Sequence, residues 1–108
     1  MGPRRLSLLL ACGLALAACS GPRTVVTNAK AGASPLVGFT RVEATLVNSG
    51  GEGDVTVNAR VRDPLTGRMF SAEHSVSLRE HETLGIILDV PSPAGSHLAA
   101  VTATFPPD

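Results

Sequence analysis

The chain reads as an all-β protein, a small antiparallel β-sandwich of five to six strands behind a removable N-terminal leader. Three observations predict this. Past Pro35, apolar residues recur at every second position, the spacing of a strand with one face buried. The alternating runs are joined by short segments rich in Gly, Pro, Asn and Asp, the residues whose backbone and side-chain chemistry make turns. No stretch after the leader carries a helical period.

The leader comes first. Arg4 and Arg5 form a positive start, Leu6 to Leu16 an apolar run, and Ala17 and Ala18 leave the backbone open to a peptidase before Cys19. About a dozen apolar residues cannot span a bilayer of about 30 Å, which takes about 20 residues as a helix. The segment is therefore a leader to be removed. Its end, Leu16-Ala17-Ala18-Cys19, resembles the lipobox of bacterial lipoprotein signal peptides. That resemblance implies that residues 1–18 are cut away, Cys12 with them, and that Cys19 is lipidated as the first residue of the mature protein. It also implies an envelope address, on the periplasmic face of the outer membrane in a diderm or the outer face of the plasma membrane. Ser20 after the cysteine resembles the outer-membrane default of diderm sorting.

Residues 19–108 remain, enough for one small domain and one core. Nine Lys and Arg balance nine Asp and Glu in the full chain, and loss of Arg4 and Arg5 leaves the rest acidic by two charges. Nucleic acid and anionic surfaces are disfavoured as partners, because they need a clustered basic face. With Cys19 acylated no thiol is left for a disulfide, so the fold stands on packing alone. Trp and Tyr are absent and Phe39, Phe70 and Phe105 are the only aromatics. Val, Leu, Ile and Ala must then supply the buried area, and sugar-stacking surfaces are disfavoured.

From Ser20 to Pro35 the chain is small and polar. Residues 19–35 read as a lipidated N-terminus and flexible tether of about 15 residues, reaching about 20 Å, before a domain over 36–108. Within it the β-branched patch Thr24-Val25-Val26-Thr27 leaves two alternatives open, tether or a first strand. A strand follows from Gly38 to Asn48, with Val42, Ala44 and Leu46 on one face and Arg41, Glu43 and Thr45 on the other. After Gly50, Gly51 and Gly53 comes the strictest alternation, Val55, Val57, Ala59 and Val61 inward against Thr56, Asn58, Arg60 and Arg62. The next strand, Met69 to Arg79, sets Phe70, Ala72, His74, Val76 and Leu78 opposite Ser71, Glu73, Ser75 and Ser77. Thr83 to Val90 points Leu84, Ile86, Leu88 and Val90 one way. In the last strand, His97 to Phe105, the set Ala99, Val101, Ala103 and Phe105 competes with Leu98 and Ala100 for the inner face.

One register follows from this parity, because a slip of one residue would turn an apolar set to solvent. Asp63-Pro64-Leu65-Thr66-Gly67-Arg68 is a turn by its chemistry: Asp to start it, Pro to preset φ, and Gly67 free to take φ > 0. Closing it at Asp63 and Arg68 pairs Val61 with Phe70, Ala59 with Ala72, Val57 with His74 and Val55 with Val76. On the solvated face, Arg60 and Arg62 are expected beside Glu43 of a neighbouring strand and Glu73 across the hairpin.

The run from Val42 through Asn48-Ser49-Gly50, the Asp63-to-Gly67 turn and the strand from Leu84 to Val90 resemble the bacterial immunoglobulin-like modules called CARDB and FxLYD. The turn Glu80-His81-Glu82-Thr83 lacks the glycine of their pattern, and the aromatic signature of FxLYD is missing. The resemblance covers Thr40 to Val90 and implies an immunoglobulin-like sandwich that serves adhesion or scaffolding, without catalytic residues.

No nucleophile elbow, phosphate-binding glycine loop or zinc-ligand spacing occurs, so no enzyme and no cofactor are expected. The expected function is a non-catalytic module that binds the membrane through lipid on Cys19 and docks another envelope protein or assembly. An alternative uses His74, His81 and His97 as imidazole ligands for copper or zinc, if three separate segments converge. Against it, His74 falls on an inward face, where a neutral, hydrogen-bonded core histidine is expected. Val47 and Ile87 interrupt the polar faces of their strands and form a candidate contact patch.

Overall fold

Alternation is a local property of the backbone, and strands form close to where it begins and ends. The computed structural model describes residues 21–107, so the leader and Cys19 lie outside the described residues. The strands are β1 (Thr24–Ala33), β2 (Phe39–Asn48), β3 (Gly53–Arg62), β4 (Met69–Leu78), β5 (Thr83–Pro91) and β6 (His97–Thr104). The described residues contain no helix. Two antiparallel sheets result, ordered β1-β2-β5 and β4-β3-β6. Val42, Leu46, Leu88 and Val90 of the first meet Val55, Val57, Ala59, Val61 and Leu78 of the second in one core. These are the alternating sets read from the sequence, and their aliphatic surface is what drives the sheets together.

The β3–β4 hairpin has the expected register, with Val61 opposite Phe70, Ala59 opposite Ala72, Val57 opposite His74 and Val55 opposite Val76. Asp63 ties its turn: the carboxylate accepts from the Leu65 N–H at 3.0 Å and the Thr66 hydroxyl at 2.9 Å. Its carbonyl accepts from the Gly67 N–H at 2.8 Å, and Gly67 sits at φ 77°, where a Cβ would be strained.

Three expectations are corrected and one open alternative is settled. The segment read as a tether is mostly strand: β1 pairs with β2 along its length, so the domain begins well before residue 36. It was masked by a bulge, since Thr27 faces Thr45 but Lys30 faces Glu43, leaving Asn28 and Ala29 opposite Ala44 alone. Asn28 adopts φ 52° there, and the extra residue turns Val26 and Ala31, of opposite parity, to the same core. A second bulge resolves β6. Leu98 faces Val61 but Ala100 faces Arg60, so Ala99 is the inserted residue and both Leu98 and the pair Val101 and Ala103 pack inward.

His74, expected on a buried inward face, is exposed. It pairs with buried Val57, but β4 is an edge strand of a three-stranded sheet, and there the imidazole reaches solvent. The last concerns charge: β2 and β3 belong to different sheets, so Glu43 lies away from Arg60 and Arg62 and pairs with Lys30 at 3.8 Å, while Glu73 lies across the hairpin as expected and accepts from Asn58 at 3.2 Å.

The strand directions sort the connections into two groups. Residues 34–38, 63–68 and 92–96 close one end of the sandwich. The approach to β1, residues 49–52, residues 79–82 and the segment after β6 meet at the other. Ten extended residues set these ends about 33 Å apart.

Candidate functional site

The end far from Gly21 carries four exposed apolar side chains. In the β1–β2 loop Val37 is 99% exposed beside an exposed Leu36, in the β3–β4 turn Leu65 is 92% exposed, and Met69 follows it, also exposed. A hollow of about 530 Å³ opens between the first and last of the three loops, lined among others by Ala33, Leu36, Phe39, Ala94, Gly95 and His97. Sandwich ends are where such folds gather loops on a rigid frame.

These loops are held in shape from below. The Ser34 hydroxyl donates to Asp89 Oδ1 at 2.9 Å and accepts from the Leu36 N–H at 3.0 Å, while Arg41 Nε donates to the same Asp89 oxygen at 3.4 Å. The Ser92 N–H donates to the Gly38 carbonyl at 3.0 Å, and the Ser92 hydroxyl meets Thr40 Oγ1 at 2.6 Å in a buried position. Ser96 folds its own loop by donating from Oγ to the Pro93 carbonyl at 2.7 Å. Leu36 and Val37 are thus presented on a braced loop.

The hydrogen bonds from Ser34 and then Arg41, with the Arg41 charge, hold the Asp89 carboxyl below its ordinary value of 3.8, against the opposing effect of desolvation. A carboxylate whose folded value is depressed contributes stability that is full above the unfolded value and is lost as the pH falls through the folded one. Asp89→Asn is therefore expected to lower the melting temperature at pH 7, with the gap to the parent protein closing below about pH 4. Thermal melts at both pH values check this, and a gap of equal size at each would contradict it.

The histidines do not meet. His74 faces Val57 on one side of β3 and His97 faces Arg62 on the other, five residues along, which separates them by about 17 Å along the strands and about 10 Å across. His81 lies at the opposite end, its N–H donating to the Gly50 carbonyl at 3.2 Å. Among the described residues no group of three His, Cys, Asp or Glu is placed to hold a metal. The convergence that a copper or zinc site would need is absent from this geometry.

Val47 and Ile87 are both exposed on the outer face of β1-β2-β5, with an exposed Val25 opposite Val47. They lie on adjacent strands but four residues out of row, because Ile87 faces Glu43. The small residues Thr45 and Gly85 lie between them and line a shallow hollow of about 790 Å³. The outer face of β4-β3-β6 is polar instead, with Thr56, Asn58, Arg60, Ser71, Glu73 and Thr102 on it. Sequence reading missed Leu36, Val37, Leu65 and Met69. A signal existed for the first two: a pair of large aliphatics set between Pro35 and Gly38 has no strand to bury it.

Compared with known proteins, the chain matches no family model, no curated protein and no solved structure.

Proposed function

We propose that the chain is a lipoprotein of the cell envelope, anchored through Cys19 after loss of residues 1–18, whose sandwich is a non-catalytic module that docks another envelope protein or assembly. The observation that carries this reading is the braced, aliphatic loop end opposite Gly21, with Leu36, Val37 and Leu65 in solvent. Burying such a side chain in a partner is worth about 1.5–3 kcal/mol each, enough for a few of them to dominate an interface. The leader ending Leu16-Ala17-Ala18-Cys19 and the resemblance to CARDB and FxLYD modules support the same reading. Several acyl chains, at about 0.8 kcal/mol per buried CH₂, make attachment effectively permanent. The loop end then points into the compartment beyond the membrane.

The test places a photo-crosslinking residue at Val37 or, as a control, at Ser75 on the polar face, in the full chain within its own cells. A discrete adduct from position 37, absent from position 75 and lost in a Leu36→Asp, Leu65→Asp background, is expected. Equal labelling from both positions would show that the loops dock nothing. Mass analysis of the processed N-terminal peptide tests the anchor separately, and an unmodified Cys19 would end that part of the reading.

A further inference from the structure

We infer that the Gly21 end of the sandwich rests directly on the bilayer surface, with the strands standing away from it; this rests on the proposed lipidation of Cys19. The chain is already held at Gly21. The Gly21 carbonyl accepts from the Gly51 N–H at 3.1 Å, the Arg23 N–H donates to Asn48 Oδ1 at 2.9 Å, and the Arg23 carbonyl accepts from the Ser49 N–H at 2.9 Å. Pro22 is buried. The Phe105 ring lies so close over Gly21 that a Cβ there would stand 2.6 Å from ring carbon Cζ. Only Ser20 separates this clamp from Cys19.

Two residue steps reach about 7 Å when fully extended. That slack is small against a sandwich about 33 Å long, so a lipid on Cys19 brings residues 49–52, residues 79–82 and Phe105 to the headgroups. Phe105 is 49% exposed, and Pro106 and Pro107 after it are exposed too, which provides an apolar contact where an aromatic ring is well placed at an interface. Charge does not draw this end down. Arg23 and Arg79 are outnumbered there by Glu52, Glu80 and Glu82, so the contact is set by the covalent tether and gains nothing from anionic lipid. The consequence for the docking reading is a fixed height: Leu36, Val37 and Leu65 are presented about 35 Å above the membrane.

The absence of Trp from the sequence makes single-tryptophan reporters unambiguous. In the lipidated mature protein on vesicles of brominated phosphatidylcholine, Phe105→Trp is expected to be quenched several-fold more than Val37→Trp or Ile87→Trp. Pro107→Trp repeats the measurement at a position free of the ring's packing on Gly21. A flexible Gly-Ser insertion between Ser20 and Gly21 is expected to abolish the quenching while the lipid, followed by mass, is retained. Quenching at Ile87 equal to that at position 105 would mean that the sandwich lies on its side and would overturn the inference. So would unquenched tryptophans at 105 and 107 in a protein whose Cys19 is lipidated. An unmodified Cys19 overturns the anchoring reading and this inference with it.

Discussion

Asn48→Asp is expected to destabilise the sandwich by about 3 kcal/mol or more, because the substitution replaces two buried donors with a carboxylate oxygen. Asn48 is 2% exposed and all four of its side-chain hydrogen-bonding positions are used. Nδ2 donates to the Gly51 carbonyl at 3.0 Å and the Arg79 carbonyl at 2.8 Å, and Oδ1 accepts from Arg23 N–H at 2.9 Å and Gly50 N–H at 3.0 Å. One amide thus joins the chain entering β1, the β2–β3 loop and the β4–β5 turn. Aspartate would keep the two accepted bonds and set an anion against two carbonyl oxygens. Asn48→Ala is expected to cost somewhat less, since it leaves the partners unsatisfied without repelling them. Urea unfolding of the three proteins measures the difference; a loss below about 1 kcal/mol for the aspartate variant would mean that water re-satisfies the site. The same network explains Gly50, where an added Cβ would collide with the Gly21 carbonyl oxygen and stand 2.9 Å from the Arg23 nitrogen, both backbone atoms unable to swing away.

Leu46→Ala is expected to cost about 3 kcal/mol, the transfer of its side chain plus the cavity left behind. Leu46 has no exposed surface, is the largest of the fully buried side chains and stands between Val26 and Leu84 in its sheet. With no Trp or Tyr in the chain, few neighbours are large enough to collapse into the void. A domain of this size sits at the low end of the usual stability range of about 5–15 kcal/mol, so the variant should show a populated unfolded fraction at moderate temperature. Val47→Ala, one position along and on the outer face, is expected to change stability by no more than about 0.5 kcal/mol. Denaturant midpoints compare the two, and equal losses would mean that alternation does not set the core.

Much of the fold was legible because a strand's period is written locally. The parity of Val55, Val57, Ala59 and Val61 against Phe70, Ala72 and Val76, with the Asp63-to-Gly67 turn, leaves one register that keeps both apolar sets inside, and that register forms. The two places where legibility failed share a cause. Bulges at Asn28 and at Ala99 shift parity in mid-strand, so β1 looked like a tether and β6 like two competing faces. Asn48 was legible as part of an Asn-x-Gly pattern, but its partners on Arg23 and Arg79 come from segments far away in the chain. The exposed loop end was harder still, because Leu36 and Leu65 are 29 positions apart and share an end of the sandwich only through the topology.

Residue order alone determined the all-β class, the extents of the strands from β2 onward, the hairpin between β3 and β4 and the identity of most core residues, since each depends on alternation and turn chemistry within a few neighbouring positions. Tertiary structure decided the rest. It assigned strands to sheets, and so separated Glu43 from Arg60; it made β4 an edge and left His74 in solvent; it drew β1 into the domain; and it gathered three loops at one end and the N-terminal clamp at the other. Those outcomes depend on which distant strands share hydrogen bonds and which faces they cover, free-energy terms that no local window of sequence contains.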